Sequence, residues 1–64
     1  MDRLRESKKI IKRLLNEGWV LVACKGDDHQ YKHPEIKGRV TVPHPVKDIP
    51  KGTVGSIYRQ AGWK

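Results

Sequence analysis

The sequence predicts an α+β fold in which a helix is followed by three antiparallel strands and a second helix. Two segments, near the start and the end of the 64-residue chain, carry apolar residues at helical spacing. Between them lie short stretches of strand character, separated by turns rich in glycine, proline and aspartate. Because both helices are amphipathic, we expect them to pack on one face of a three-stranded sheet. The short length predicts one domain, residues 1–64.

The first helix is predicted to begin at Ser7, whose hydroxyl suits an N-cap, and to end at Gly18 in the left-handed conformation. Its apolar stripe consists of Ile10, Ile11, Leu14 and Leu15. The last helix is predicted to begin at Thr53 as its cap and to end at Gly62. Its apolar residues are Val54, Ile57, Tyr58 and Ala61. Both stripes therefore need a common apolar surface to cover them.

Residues 19–24 form a continuous apolar run of strand length, which predicts a strand at the centre of the sheet. We expect Trp19 in the core and Cys24 as a small buried apolar residue. A turn over residues 25–28 leads to a second strand over 29–33, and a turn over 34–38 leads to a third over 39–42. Pro43 ends that strand. Short connections between successive strands predict an antiparallel meander.

The charge balance favours a polyanionic partner. Lys and Arg number 14 against 7 Asp and Glu, a formal net charge of +7, although such charge also serves solubility alone. One cysteine excludes an intramolecular disulfide framework and is typical of a reducing cytosol. No apolar run is long enough to span a membrane, and no signal peptide is evident. These features predict a soluble cytoplasmic protein.

Three histidines carry the chemistry that the composition allows. His29 and His33 have the i, i+4 spacing of zinc ligands on a helix, but on a strand the same spacing separates them by about 13 Å, so we expect no metal. No serine sits in a nucleophile elbow, and no glycine-rich phosphate loop is present. Histidine acid–base chemistry remains, and RNA suits it because the 2′-hydroxyl of the substrate is itself the nucleophile.

Several segments together resemble one known family. They are the helix and tryptophan of residues 7–19, the Lys25-Gly26 turn with a histidine three positions after the glycine, and residues 31–34, 40–45, 49–53 and 61–62. This set is similar to the HicA toxins of HicA–HicB toxin–antitoxin modules. Its most distinctive parts are the glycine-to-histidine turn, Val-Pro-His-Pro at 42–45 and Pro-Lys-Gly-Thr at 50–53.

The resemblance implies a double-stranded-RNA-binding-like fold of order α-β-β-β-α. It also implies an endoribonuclease that needs no metal or cofactor, cleaves mRNA, arrests translation and is neutralised by a HicB antitoxin. The catalytic histidine of the family corresponds to His29. Family members commonly have serine after the turn glycine, whereas this chain has Asp27 and Asp28, whose carboxylates could orient the His29 ring or repel phosphate.

The remaining candidate residues receive narrower roles. Lys25, Lys32 and Arg39 are predicted at strand ends near His29, where they would contact phosphates and stabilise transition-state charge. His33, next to Pro34, is expected to make a turn hydrogen bond, and His44 between two prolines is expected to be positional. Two other functions stay open: a noncatalytic double-stranded-RNA-binding module, and a small interaction domain for an acidic partner.

Overall fold

The computed structural model describes residues 3–64 and contains two helices and one three-stranded sheet. The elements are α1 (Ser7–Asn16), β1 (Val20–Lys25), β2 (Asp28–Lys32), β3 (Arg39–Pro43) and α2 (Lys51–Ala61). Both strand pairings are antiparallel and the strand order is β1-β2-β3. The predicted α+β class and the α-β-β-β-α order are confirmed.

The core lies between the two helices and one face of the sheet. Alternating positions of β2 and β3 direct Tyr31, Val40 and Val42 to this face, and each is buried. The other members of the same cluster are Ile10, Leu14, Trp19, Ile49, Val54, Ile57, Tyr58 and Ala61. Because both helices contribute to this one cluster, they cover the same sheet face and leave the other face open to solvent.

The prediction that residues 19–24 form the central strand is wrong, because β1 lies at the edge and β2 is central. Two short hairpin connections place the middle strand of a meander between its neighbours whatever its composition. Val20, Leu21 and Val22 are consequently exposed by 57%, 46% and 48%. Cys24, predicted to be buried, is also exposed. Of this apolar run, Trp19 alone joins the core, as predicted.

The predicted helix caps are wrong in both helices. Glu6 occupies the N-cap position of α1, and Ser7 is the first helical residue, with its hydroxyl accepting a hydrogen bond from the Val46 backbone N–H instead. Pro50 precedes α2, and its carbonyl accepts the first helical bond, from Val54. A residue inside the first turn, such as Thr53, is therefore too late in the chain to cap the helix.

The predicted helix ends are confirmed. Gly62 closes α2 in the left-handed conformation with φ +76°, and Gly18 follows α1 with φ +95°. Beyond Gly62, the Trp63 indole N–H donates to Oε1 of Glu17 at 2.7 Å. The other carboxylate oxygen accepts from Arg13 at 2.9 Å, and the Arg13 guanidinium lies 4.0 Å from the Trp63 ring centroid. These contacts join the C-terminal residues to the end of α1.

We expect the Glu17 contacts to make stability fall at acid pH. Partial burial acts to raise the pKa of Glu17, but hydrogen bonds from Trp63 and Arg13 outweigh it, and the net pKa is lowered. Because the pKa of Glu17 is lower in the folded protein, its contacts contribute stability that is fully present above the ordinary pKa of 4.5. This stability is lost as the pH falls through the folded-state pKa. Solvent exposure keeps the contribution small.

The measurement is urea unfolding of the wild type and Glu17→Gln at pH 7 and pH 3. The variant should lose less stability between the two pH values than the wild type does. Equal losses in the two proteins would contradict the assigned role of Glu17.

Candidate active site

The three histidines differ in how many ring nitrogens the protein occupies. His29 lies in β2, His33 directly follows that strand, and His44 directly follows β3. A histidine that transfers protons to a substrate needs an accessible nitrogen free of structural hydrogen bonds. The hydrogen bonds of each ring therefore separate structural histidines from candidate catalysts.

Both ring nitrogens of His33 are engaged. Nδ1 accepts the backbone N–H of Glu35 at 3.0 Å, and Nε2 lies 2.9 Å from the carbonyl oxygen of Glu17. A carbonyl can only accept, so Nε2 carries the proton and the ring is held as one neutral tautomer. The ring also packs edge-on against Trp19, with centroids 5.3 Å apart. The predicted turn hydrogen bond is confirmed, and His33 links the β2–β3 connection to the end of α1.

Removing this ring should destabilise the fold. We expect His33→Ala to lower the free energy of unfolding by about 1–3 kcal/mol, because a carbonyl and an N–H lose their partner together. His33→Gln should recover part of the loss, since its side-chain amide can still donate to the Glu17 carbonyl. Urea denaturation followed by circular dichroism measures both. A His33→Ala variant as stable as the wild type would contradict this role.

His29 is half-buried, and its ring nitrogens are free of contacts from the described part of the chain. Within residues 3–64 neither nitrogen is hydrogen-bonded to a protein atom, and neither belongs to the buried polar atoms without a partner. His29 pairs with Cys24 on β1 and Val42 on β3, and it shares the helix-covered face with Tyr31. It sits at the end of the sheet, where the covered face meets solvent. Its nitrogens are therefore accessible to a substrate.

His44 lies directly against His29. The two ring centroids are 5.0 Å apart at an interplanar angle of 78°. Nδ1 of His44 is 2.7 Å from Oγ of Ser7, and its backbone N–H donates to the Asp27 carbonyl at 2.7 Å. The start of α1, the β1–β2 turn and the end of β3 thus converge on one pair of imidazoles.

The sequence reasoning missed this pair. In an antiparallel hairpin the start of β2 lies beside the end of β3, and the register places Asp28 opposite Pro43 and His29 opposite Val42. His29 follows Asp28 and His44 follows Pro43 in the chain. The pairing of Asp28 with Pro43 therefore brings the two histidines close together. The antiparallel pairing of the second and third strands was already part of the predicted meander, and it is the signal from which the proximity of His44 to His29 follows.

The three predicted phosphate-binding residues do not lie together. Lys25 pairs with Asp28, one position from His29. Lys32 and Arg39 pair with each other at the opposite end of the sheet, about 10 Å along the strand from His29. Lys32 also follows the inward Tyr31 and so belongs to the open face. Lys25 lies at the same end of the sheet as His29, but it follows Cys24, the partner of His29, and so alternates to the open face. The expectation of proximity to His29 is wrong for Lys32 and Arg39.

Two lysines that were not among the predicted phosphate-binding residues lie nearer the imidazole pair. Lys8 and Lys47 line a groove on the His44 side of the pair. The other residues of this groove are Glu6, Ser7, His44, Pro45 and Val46. We refer to this set as the His44 groove. At this end of the molecule the three lysines Lys8, Lys25 and Lys47 are matched by three carboxylates, those of Glu6, Asp27 and Asp28.

The remaining polar groups near His29 do not compete for its proton. Burial and the nearby Cys24 raise the pKa of Tyr31, so its phenol stays protonated. Asp27 and Asp28 are exposed, and neither carboxylate is hydrogen-bonded to His29 in the part of the chain that the structure describes. Across residues 3–64 no three His, Cys, Asp or Glu side chains converge as metal ligands would.

Comparison with known families decides the classification. A family model for the HicA toxin of bacterial toxin–antitoxin systems matches residues 7–63, nearly the whole chain. The chain belongs to the HicA toxin family. As a HicA toxin it is the toxin component of a toxin–antitoxin pair, and a cognate antitoxin is its implied partner. A search of curated proteins gives no significant match.

The matched region of this HicA toxin includes every element of the site: Ser7, the β1–β2 turn, both histidines of the pair and the His44 groove from Ser7 onward.

No helix among residues 3–64 is long and apolar enough to cross a membrane.

Proposed function

We propose that this toxin is an endoribonuclease that cleaves mRNA without a metal ion, with His29 as a general acid or base. The observation that carries the proposal is the contrast among the histidines: within residues 3–64 the nitrogens of His29 make no hydrogen bond to protein, whereas those of His33 are both engaged. The net charge of +7 on the chain and membership of a toxin family support the same activity. The reaction belongs to the cytoplasm, where mRNA is translated.

His29 acts on a nucleophile that the RNA supplies. Removal of the 2′-hydroxyl proton lets the 2′-oxygen attack the adjacent phosphorus, and the bond from phosphorus to the 5′-oxygen breaks. The products are a 2′,3′-cyclic phosphate and a 5′-hydroxyl. The site is open rather than enclosed, which suits an extended polyanion whose affinity comes largely from its phosphates.

The basic residues are proposed to bind different phosphates of the RNA according to their positions in the sheet. Lys25 is proposed to contact a phosphate near the scissile one from the open face, because it lies at the same end of the sheet as His29. Lys32 and Arg39 are proposed to bind phosphates further along the RNA, at the far end of the sheet. Arg39 is oriented by a hydrogen bond of 2.7 Å to Oε1 of Gln30.

The test is cleavage of an end-labelled RNA by purified toxin in excess chelator, beside the same RNA with 2′-O-methyl groups throughout. Cleavage that resists the chelator, requires the 2′-hydroxyl and leaves a cyclic phosphate supports the proposal. RNA binding without cleavage would replace it with a noncatalytic RNA-binding module. Absence of both binding and cleavage at low salt would favour a domain that binds an acidic protein.

The partner is proposed to be a HicB-type antitoxin that covers His29 with acidic groups facing the basic surface. We expect cleavage to fall to background when the antitoxin saturates the toxin, because the substrate and the antitoxin then compete for one surface. Cleavage by the saturated complex, assayed at a concentration well above its dissociation constant, measures this. A complex that cleaves as fast as the free toxin would contradict coverage of His29.

A further inference from the structure

The imidazole pair contains a second histidine with one accessible nitrogen. Nδ1 of His44 is bound to Ser7, while its ring packs against His29 and lines the His44 groove. The sequence assigned His44 a positional role. Within residues 3–64 Nε2 of His44 makes no hydrogen bond to protein, and it is not among the buried polar atoms that lack a partner, so it is open to solvent. Nε2 is thus available to an RNA substrate.

We propose that His44 is the general acid that protonates the leaving 5′-oxygen while His29 acts as the general base. The inference rests on the proposed ribonuclease function and adds a catalytic residue to it. RNA transesterification needs one proton removed and one supplied on either side of the phosphorus, and two adjacent imidazoles can do both. The contact between the rings lets one phosphodiester reach both residues.

The proton balance closes within the pair. The proposed reaction requires an unprotonated nitrogen on His29 and a proton on each ring nitrogen of His44 at the start. His29 takes the 2′-hydroxyl proton as the bond from the 2′-oxygen to phosphorus forms. His44 gives its Nε2 proton to the 5′-oxygen as the bond from phosphorus to that oxygen breaks. After the reaction His29 holds one more proton and His44 one fewer. Proton exchange with water returns the pair to its starting state without any other reactant.

Ser7 makes this exchange possible without moving the His44 ring. Its Oγ accepts the Val46 backbone N–H at 2.9 Å, which leaves one lone pair and the hydroxyl proton for Nδ1 of His44. A protonated His44 donates from Nδ1 to Oγ and keeps Nε2–H for the substrate. After that proton leaves, the same Nδ1–H bond remains. Ser7 is buried and fixed by α1, so it holds the ring in both states as a positioning residue.

The charged groups around the pair suit a phosphate. Lys8 and Lys47 line the groove with His44, and Glu6 is the acidic residue there. Cys24 lies opposite His29 across the β1–β2 pairing. On the His44 side the groove carries two cations against one carboxylate, which favours the RNA backbone there, whereas Asp27 and Asp28 place their negative charge in the β1–β2 turn beside the pair.

The experiment compares His44→Asn with the wild type on two matched substrates. One has the natural 5′-oxygen at a single cleavable phosphate, and the other has sulfur in that position, which departs as a thiolate without protonation. Asn retains a polar atom near the Nδ1 position, so the contact with Ser7 is kept while Nε2 is removed. His44→Gln serves as the second variant if His44→Asn does not fold, as judged by circular dichroism.

We expect the variant to lose about 10²- to 10⁴-fold in rate on the oxygen substrate, and less than about tenfold on the sulfur substrate. His29→Gln, as the comparison, should be impaired on both substrates. A folded His44 variant with full activity on the oxygen substrate, or with equal losses on both, would overturn the assignment of His44 while leaving the ribonuclease function intact. Absence of cleavage by the wild type would overturn both.

Discussion

Replacing His29 by Gln should lower the rate of RNA cleavage by about 10²- to 10⁴-fold, the range over which a general base contributes to catalysis. Its nitrogens make no hydrogen bond to protein within residues 3–64, so the substitution removes no structural contact of that kind. The fold and the RNA affinity should therefore persist. Single-turnover cleavage measures the rate, and binding to an uncleavable 2′-O-methyl RNA measures the affinity.

His33→Gln is the matched control, because it makes the same chemical change at a histidine four residues away in the chain. We expect wild-type cleavage from this variant at a temperature where circular dichroism shows it folded, since both nitrogens of His33 serve the structure. If His29→Gln retained the wild-type rate, or lost RNA binding to the same extent as cleavage, the assignment of His29 as a proton-transfer group would be wrong.

Replacing Trp19 by Ala should unfold most of the protein at 37 °C. Trp19 is 2% exposed and packs in the single core cluster and against His33. Truncating a buried tryptophan costs about 3–5 kcal/mol, and a core of this size rarely supplies more than about that amount. The loss of the ring also leaves His33 without its packing partner. Urea and thermal unfolding followed by far-ultraviolet circular dichroism give the measurement.

Trp63→Ala is the matched control for this experiment. Trp63 is partly exposed and contributes the hydrogen bond to Glu17 and the contact with Arg13. Each of these contacts is worth on the order of 1 kcal/mol, so we expect a smaller loss than at Trp19. Equal losses at the two positions, or a Trp19→Ala protein with a wild-type melting temperature, would contradict the placement of Trp19 at the centre of the core.

The site depends on the same packing that stabilises the fold. His29 lies on the helix-covered face, and the adjacent His44 is held by Ser7, which belongs to the first turn of α1. The position of α1 over the sheet therefore decides whether the imidazole pair forms. A mutation that shifts α1 should reduce cleavage before it abolishes RNA binding, because Lys32 and Arg39 lie on β2 and β3 at the other end of the sheet.

The local signals in this chain were reliable where one residue sufficed to decide the structure. Gly18 and Gly62 end their helices because left-handed backbone favours glycine. The helix caps at Ser7 and Thr53 were wrong because Glu6 and Pro50 occupy the N-cap positions and neither makes a side-chain cap hydrogen bond, so the search for a capping side chain missed the helix starts. The three-strand meander followed from short turns between runs of strand character.

The sequence by itself determined the order of the elements, the positive charge and, through its resemblance to HicA toxins, the choice of His29. Periodicity and turn chemistry act over a few residues, so they can be read along the chain. Only the tertiary structure decided that β1 is an edge strand, that Lys32 and Arg39 lie far from His29, and that His44 lies against it with Ser7 at its back. Those facts depend on strand order, register and helix docking, which bring together residues far apart in the chain, such as Ser7 and His44, 37 positions apart.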